Sequence, residues 1–454
     1  MNTYERALAY LYSFANYELS RMTPRTDMRL TRMRRLLELA DNPQERFRSV
    51  LVAGTKGKGS TAAMIASIAQ AAGLRTGLYS TPHLNAHRER MRIDSRLISR
   101  DEFVERMRAV RSVVARYDSE LGPPTTYELG TLLAFGYFAD HEVELSVVEV
   151  GLGGRLDATN VLDAEVSVIA SISYDHMEVL GPTLTSIATE KAGIIKPGKV
   201  VVSAPQLPEA MAVLRQVAGE RRALLLRVHE PELTQAAEPI VAGGQAPDAR
   251  QCFRVSREPE AMDGQGIWLY CPNWPHFTTF CTPLLGEHQR TNAAVAIAAA
   301  NELRISSEAT VAGLAQVRWP GRLEILRERP LVVADGAHNV DSMEKLAAAV
   351  RGHFRYQRLR AIVGFSADKD IPGMAAVLNE LADEVVLVQS KHPRSADSPA
   401  IAQHFSRARL AGDLEEALAG QGERELALVT GSLYLVGEAR LHLGLVATED
   451  QDPL

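Results

Sequence analysis

A glycine- and lysine-rich turn at residues 54–61 has the clearest chemistry in the chain. It reads Gly-Thr-Lys-Gly-Lys-Gly-Ser-Thr and lies between an apolar run at 50–53 and an alanine-rich, helix-forming run. Glycines let the backbone curl so that its N–H groups converge on phosphate oxygens. Lys58 can reach the β- and γ-phosphates, Ser60 or Thr61 can offer a hydroxyl to Mg²⁺, and the following helix dipole favours an anion there. The turn predicts a nucleotide-phosphate site.

The turn departs from the usual phosphate-loop pattern, in which Gly-Lys is followed directly by Ser or Thr. Here Gly59 stands between Lys58 and Ser60. A turn of this composition is also compatible with an ordinary loop, but the predicted strand before it and helix after it favour nucleotide binding. They do not indicate what the phosphate is used for.

Polar side chains follow two further predicted strands. Glu149 lies at the end of the run 145–150 and precedes a glycine-rich stretch with Asp157, and His176 follows the run 166–172. Ligands of open α/β sheets bind at the carboxyl ends of the strands. Glu149 is therefore either a Mg²⁺ ligand or a hydrogen-bonded strand end. His176 is either a second ligand, although Mg²⁺ prefers oxygen donors, or a structural residue.

The order of the predicted elements favours a parallel α/β sheet, because strands alternate with helices. We expect helices over 3–17, 27–40, 100–117, 125–140 and from 291, and strands over 76–80, 145–150, 166–172, 331–334, 359–363, 384–388 and 426–429. Residues 228–250 indicate an exposed connection, and the stretch to 282 alternates like hairpins with a turn at 263–266. Trp319-Pro-Gly breaks the pattern, which predicts a domain boundary within 316–325. Beyond it, four polar loops at strand ends suggest one rim of a binding site.

Composition excludes several classes of protein. The chain has 454 residues, 46% of them hydrophobic and 23% charged, with a formal net charge of −6. These values are typical of a globular protein of two or three domains and argue against nucleic-acid binding. The three cysteines lack metal-ligand spacing, the N-terminus does not resemble a signal peptide, and no apolar run approaches a membrane span. We expect a cytoplasmic protein with no nucleic-acid or membrane partner.

Taken in order, the motifs resemble folylpolyglutamate synthase and dihydrofolate synthase, the folate branch of the Mur ligase superfamily. The resemblance runs over roughly residues 30–440. It rests on Gly54-Thr-Lys-Gly-Lys-Gly-Ser, Thr81-Pro-His-Leu with Glu89-Arg-Met-Arg, Thr125-Thr-Tyr-Glu, Glu149-Val-Gly-Leu-Gly-Gly-Arg-Leu-Asp-Ala-Thr-Asn, Asp175-His, Glu190-Lys-Ala-Gly-Ile-Ile-Lys, Pro320-Gly-Arg-Leu-Glu, Asp335-Gly-Ala-His-Asn, Ser366-Ala-Asp-Lys-Asp, His392-Pro-Arg-Ser and Thr430-Gly-Ser-Leu-Tyr.

The resemblance implies an α/β fold with two domains. An N-terminal P-loop ATPase domain with a mostly parallel sheet would span 1–318, a linker 319–324, and a smaller Rossmann-like glutamate-ligase domain 325–454. It also implies an ATP-dependent amide ligase that adds L-glutamate to a folate, or to dihydropteroate, through an acyl-phosphate. ATP would be a co-substrate, two Mg²⁺ ions would assist, and we expect a monomer.

The same resemblance implies roles for individual residues. The ATP-binding set is Gly54, Thr55, Lys56, Gly57, Lys58, Gly59, Ser60, Thr61, Asn292, Arg322 and Asp335. The metal ligands are Ser60, Glu149, His176 and Lys191, the last as a carbamylated lysine. The catalytic set is Lys58, Lys191, His338 and Arg322. The substrate-binding set is Tyr127, Asp157, Arg90, His338 and Ser432. Composition alone would make Lys191 a surface residue, so its role rests on the resemblance.

Two departures from the family pattern stand out. Lys56 and Tyr127 occupy positions where many bacterial members have Asn and Phe. The alternatives are a ligase acting on UDP-linked muramyl peptides and a non-catalytic nucleotide-binding regulator. The preference between dihydropteroate and tetrahydrofolate, the length of the polyglutamate product and the favoured one-carbon form stay open.

Overall fold

The computed structural model describes residues 2–16, 30–229, 252–257, 265–270, 278–447 and 450–452. Packing divides the chain into two compact units. The first unit comprises residues 1–82, 88–283 and 289–317, and the second unit comprises 83–87, 284–288 and 318–454. The predicted ranges of an ATPase domain, a linker and a glutamate-ligase domain stay a prediction.

The first unit is built on one sheet flanked by helices. Its strands are β1 (Arg48–Ala53), β2 (Thr76–Tyr79), β3 (Met91–Ile93), β4 (Arg96–Leu97), β5 (Leu145–Glu149), β6 (Val166–Ile169), β7 (Val200–Ser203), β8 (Leu224–His229), β9 (Cys252–Arg257), β10 (Gln265–Tyr270) and β11 (Thr278–Thr282). Its helices are α1 (Tyr4–Tyr12), α2 (Leu30–Glu38), α3 (Lys58–Ala71), α4 (Arg100–Arg116), α5 (Thr126–Asp140), α6 (Met177–Leu180), α7 (Leu184–Ala192), α8 (Pro208–Glu220), α9 (Glu287–Glu302), which enters the unit at residue 289, and α10 (Ser307–Gln316).

The strand order of this sheet is β11-β10-β9-β8-β7-β6-β1-β5-β2-β3-β4. Strands β9, β8, β7, β6, β1, β5 and β2 pair with one another in parallel, and β10–β11 at one margin and β3–β4 at the other add antiparallel strands. The central strands are continuous apolar runs because helices cover both faces of a parallel sheet. Strand β1 therefore lies between β5 and β6, and the three carboxyl ends share one edge.

The second unit has a six-stranded sheet in the order β12-β13-β17-β14-β15-β16. Its strands are β12 (Glu324–Glu328), β13 (Leu331–Ala334), β14 (Arg358–Val363), β15 (Glu384–Val388), β16 (Ala408–Ala411) and β17 (Glu425–Thr430), and its helices are α11 (Val340–His353), α12 (Ile371–Leu381), α13 (Ser398–Ile401), α14 (Leu414–Leu418) and α15 (Leu433–His442). All neighbours pair in parallel except β12 with β13. The predicted α/β class with a mostly parallel first sheet and a smaller second sheet is confirmed.

Most predicted elements are present, and three boundaries in the described ranges differ by three residues or more. The helix predicted over 3–17 ends at Tyr12, and the helix predicted from Thr291 begins at Glu287. Gly286, with a φ of 108°, directly precedes that helix and has a backbone conformation that favours glycine. The helix therefore starts at Glu287, one turn before the apolar pattern from which it was predicted. The strand predicted over 166–172 ends at Ile169. The connection predicted over 228–250 starts too early, because Val228 and His229 belong to β8. Residues 230–250, and residues 263 and 264 of the predicted turn, lie outside the described residues.

Two further expectations can be compared with the described ranges. None of the helices there combines the length and the apolar character that crossing a membrane requires. Cys281 carries a free thiol, while Cys271 and the side chain of Cys252 lie outside the described part.

Helices α3 and α10 approach so closely that only glycine fits between them. A Cβ atom added at Gly313 would lie 2.4 Å from the Ile68 Cα and 2.7 Å from the Ser67 carbonyl oxygen. The Ser67 hydroxyl also donates to the Gly313 carbonyl oxygen at 2.6 Å. Because α3 begins at the predicted phosphate site, this contact anchors the helix that the site depends on.

We expect Gly313→Ala to destabilise the protein by about 1–3 kcal/mol, because backbone atoms cannot yield as side chains do. Gly219, in the last turn of α8, has no atom of the described residues within 4 Å of its Cβ position, so Gly219→Ala is the matched control. The control should be neutral or gain up to about 1 kcal/mol from its higher helix propensity. Urea unfolding of both variants measures the difference, and equal stabilities would contradict the close contact.

Candidate active site

The phosphate loop is held against the segment that follows β6. Gly54 has a φ of 152°, and a Cβ there would lie 2.8 Å from the Ala170 Cβ. This approach lets the Thr55 and Lys56 amides donate to the Ser171 carbonyl oxygen at 2.7 and 3.2 Å. Gly57 has a φ of 83° and directly precedes α3, so the residue at the N-cap has no side chain to cap the first turn of that helix. The N-terminal end of α3 therefore presents a concentration of backbone donors, as the sequence predicts.

Two polar side chains of helix α9 connect this helix to the phosphate loop and to the start of α3. A Cβ at Gly57 would lie 2.3 Å from the Asn292 side-chain oxygen, so Asn292 lies directly beside the turn. The Asn292 side-chain Nδ2 donates to the Gln289 side-chain Oε1 at 3.0 Å, and the Gln289 Nε2 donates to the Ser60 hydroxyl at 3.2 Å. Ser60 is 3% exposed, and the neighbouring Thr61 hydroxyl is buried without a hydrogen-bond partner among the described residues.

The interpretation of Lys191 as a surface residue from composition is wrong, because this side chain is buried. Lys191 is 4% exposed, and its Nζ donates to the Gly54 carbonyl oxygen at 2.8 Å. Burial lowers the pKa of the Lys191 amine to about 7, and the nearby Lys58 adds to that shift. A large fraction of this amine is therefore neutral near pH 7, which gives it the nucleophilic character that a surface lysine lacks.

Two of the four predicted metal ligands lie at or after the ends of the two strands that flank β1. Glu149, at the end of β5, pairs in register with Val52 of β1, and its carboxylate accepts from the Thr81 amide at 3.2 Å. His176 follows β6, the other neighbour of β1, and its imidazole is half exposed beside Asp175. The described residues contain no group of three or more His, Cys, Asp and Glu side chains arranged for a metal ion.

A glycine-rich loop after β5 is held by Tyr127 and Asp157. The Tyr127 hydroxyl donates to an Asp157 oxygen at 3.2 Å and accepts from the Gly151 amide at 3.0 Å. Asp157 also accepts from the Leu152 and Thr159 amides, each at 3.0 Å, and is 1% exposed. Burial raises the pKa of the Tyr127 hydroxyl well above its usual range, so it stays protonated as a donor. Asp157 therefore orders the loop. Arg90, which was also predicted to bind the substrate, is buried at 4% exposure.

The start of α5, which carries Tyr127, is fixed by a buried ion pair. Arg32 lies 2.7 Å from Glu128, with both side chains 7% exposed. Glu128 also accepts from the Thr125 amide at 2.8 Å, which completes a capping box at the N-terminus of the helix. This arrangement stabilises the backbone on either side of Tyr127.

In the second unit, four predicted residues gather at the ends of β13 and β17. Asp335 accepts from the Leu323 and Ala337 amides at 2.8 and 2.9 Å. Burial raises the pKa of the Asp335 carboxyl, and the charge of Arg322 opposes the shift. The His338 Nδ1 lies 2.8 Å from the Gly336 carbonyl oxygen, which can only accept, so Nδ1 carries a proton. Ser432 caps α15 at the neighbouring strand end.

The sequence interpretation missed residues that hold the predicted ones in position. Gln289 links Asn292 to Ser60, and its spacing of three residues from Asn292 on one helix face was the available signal. The Thr81 amide donates to Glu149, and Thr81 begins the motif Thr81-Pro-His-Leu, whose sequence alone does not indicate this contact. Gln206, whose side chain binds the Ile172 amide and the Ala170 carbonyl oxygen, carried no signal.

Comparison with known proteins identifies the same two regions. Residues 52–206 match the Mur ligase middle domain, and residues 321–433 match the Mur ligase glutamate ligase domain. The chain is 35% identical over 428 residues to a dihydrofolate synthase/folylpolyglutamate synthase of Bacillus subtilis, covering 91% of this chain and 94% of that protein. It is 33% identical over 448 residues to a folylpolyglutamate synthase of Lacticaseibacillus casei, covering 96% of this chain and 98% of that protein.

A solved structure of a relative has the same fold as this chain. The folylpolyglutamate synthase of Mycobacterium tuberculosis, complexed with ADP and AMPPCP, superposes with a TM-score of 0.81 at 33% identity, over 94% of this chain and 96% of that one. The predicted family is thereby confirmed. The chain belongs to the folylpolyglutamate synthase and dihydrofolate synthase family, the folate branch of the Mur ligase superfamily.

Proposed function

We propose that this chain is an ATP-dependent ligase that joins L-glutamate to the γ-carboxylate of a folate, to the carboxylate of dihydropteroate, or to both. One observation carries the proposal. The phosphate loop lies between Glu149 and His176 at one edge of the sheet, and the buried Lys191 amine is bonded to Gly54 of that loop. The family relationship supports this reading over a UDP-muramyl peptide ligase or a non-catalytic regulator.

The reaction has two steps. A carboxylate oxygen of the acceptor attacks the γ-phosphorus of ATP, the bond from that phosphorus to the β-phosphate oxygen breaks, and ADP leaves. The glutamate amine then attacks the acyl carbon, loses a proton and expels phosphate. Phosphoryl transfer of this kind needs positioning and neutralisation of charge. The loop amides and Lys58 hold the phosphates, and Asn292 fixes the turn at Gly57.

The donors around Ser60 and Glu149 fit Mg²⁺. Both offer oxygen, which Mg²⁺ prefers, and the buried Thr61 hydroxyl beside Ser60 lacks a hydrogen-bond partner within the described ranges. Ser60 and Glu149 would hold a first ion, and Glu149, His176 and carbamylated Lys191 would hold a second. When bound, the ions neutralise charge on the phosphates.

The remaining roles follow the family relationship. Tyr127 and the loop that Asp157 orders would contact the pterin, with Arg90 as a further contact. Arg322 and Asp335 would contact ATP. His338 and Ser432 would contact the incoming glutamate. We also propose that the enzyme is a monomer and acts in the cytoplasm.

The acceptor is tested by assaying dihydropteroate and tetrahydrofolate separately as sole acceptors, each with ATP, Mg²⁺ and L-glutamate. We expect stoichiometric ADP release and a product heavier by one glutamate residue with at least one acceptor. Lys58→Ala is the control and should abolish ligation, because it removes the positive charge that reaches the transferred phosphate. Absence of ADP release with both acceptors would contradict the proposed function.

Carbamylation of Lys191 is tested with ¹³C-labelled bicarbonate. The neutral amine attacks CO₂ and loses a proton, leaving a carbamate anion. Because the pKa of Lys191 is lowered to about 7, the reactive neutral form increases as the pH rises from 6 to 8. We therefore expect a ¹³C carbamate NMR signal that is stronger at pH 8 than at pH 6 and absent in Lys191→Arg. Active enzyme with an unmodified Lys191 would contradict the assignment.

A further inference from the structure

Lys56 forms an ion pair within the candidate active site. Its Nζ lies 3.1 Å from the Asp175 Oδ2, and the two side chains are 20% and 24% exposed. Lys56 belongs to the phosphate loop, and Asp175 belongs to the segment after β6. The resemblance placed this lysine in the ATP-binding set, but its ammonium group is directed to a carboxylate.

The partner of Lys56 controls the backbone at His176. The second oxygen of Asp175, Oδ1, accepts from the His176 amide at 3.0 Å. His176 has a φ of 49° and a ψ of 39°, in the left-handed region that a non-glycine residue adopts only at a cost. Its carbonyl oxygen accepts from the Val179 and Leu180 amides and thereby starts α6. Asp175 thus bridges Lys56 and the strained turn that orients the imidazole.

Other bonds join the same two segments nearer to the sheet. The Thr55 hydroxyl donates to the Ser173 carbonyl oxygen at 3.0 Å and lies 3.1 Å from the Ser173 amide, which donates to it. The Thr55 and Lys56 amides donate to Ser171. These bonds fix the segment up to residue 173, and the ion pair continues the attachment to the residue next to His176.

We propose that Lys56 is a positioning residue: through Asp175 it holds His176 in the orientation required for a metal ligand. This rests on the proposed function, in which His176 helps to bind the second Mg²⁺. An Asn at position 56 would lack the charge and the reach for this pair. The effect of Lys56 is then on metal affinity rather than on nucleotide affinity.

A double-mutant cycle tests the pair. The variants are Lys56→Asn, Asp175→Asn and the double substitution; Asp175→Asn removes the charge but keeps a side-chain oxygen for the His176 amide. Lys56→Arg should retain the pair. Lys199→Asn is the matched control, because Lys199 pairs with Asp163 at 3.6 Å and precedes β7, at the opposite end of the parallel strands. Two quantities are measured: the free Mg²⁺ concentration for half-maximal turnover, and ADP affinity by calorimetry in EDTA.

We expect each Asn variant, single or double, to raise the half-saturating Mg²⁺ concentration by the same factor, about three- to tenfold, as for a partly shielded ion pair. For Lys56→Arg and Lys199→Asn, the half-saturating Mg²⁺ concentration should stay within about twofold of the parent value. The metal-free ADP affinity should stay within about twofold of the parent value in every variant of the cycle and in both controls. If the two single effects multiply in the double variant, the residues act independently and the proposal fails. It also fails if Lys56→Asn alone weakens metal-free ADP binding, since that indicates a direct phosphate contact.

His176→Ala separates this inference from the proposed function. If His176→Ala leaves the Mg²⁺ dependence unchanged, the metal role of His176 is wrong and the inference fails with it. If His176→Ala shifts the dependence but Lys56→Asn does not, the metal role stands and only the positioning role of Lys56 is overturned. Thermal unfolding of every variant shows whether a shift reflects the site or a loss of fold.

Discussion

The close approach of Gly54 to Ala170 is the constraint on which the candidate site depends. No side chain fits between these two backbone segments, so the loop after β1 can lie against the segment after β6. Two amides of the loop then share the Ser171 carbonyl oxygen, and the Gly54 carbonyl oxygen remains directed at Lys191. Phosphate donors, a buried amine and the segment that leads to the predicted histidine ligand are therefore arranged around one glycine.

A second close approach determines where Lys191 can be. A Cβ at Gly154 would lie 2.8 Å from the Glu190 carbonyl oxygen and 3.1 Å from that of Lys191, and a Cβ at Gly193 would lie 2.3 Å from the Arg155 Cβ. The glycine-rich loop after β5 is thus packed against the end of α7. Tyr127 and Asp157 order this loop from the other side. The loop that begins next to Glu149 therefore also determines the depth at which Lys191 is buried.

The fold was largely predictable because its signals are local. Strands such as Leu331–Ala334 and Glu384–Val388 have the predicted boundaries, since short continuous apolar runs identify buried parallel strands. The burial of Lys191 could not be predicted from composition, because the glycine-rich loop after β5 that packs against the end of α7 comes from another part of the chain. The partner of Lys56 was equally inaccessible: an ion pair across 119 residues of sequence leaves no spacing pattern.

The strand order has a consequence for how this protein can vary. Strands β9–β11 form one margin of the large sheet, and β8 and β7 separate them from the β6-β1-β5 centre. Strands β8 and β9 therefore lie three and four places from β1 in the sheet, outside the β6-β1-β5 centre. Strands at this margin can differ in length or number without changing the pairing that places β1 between β5 and β6.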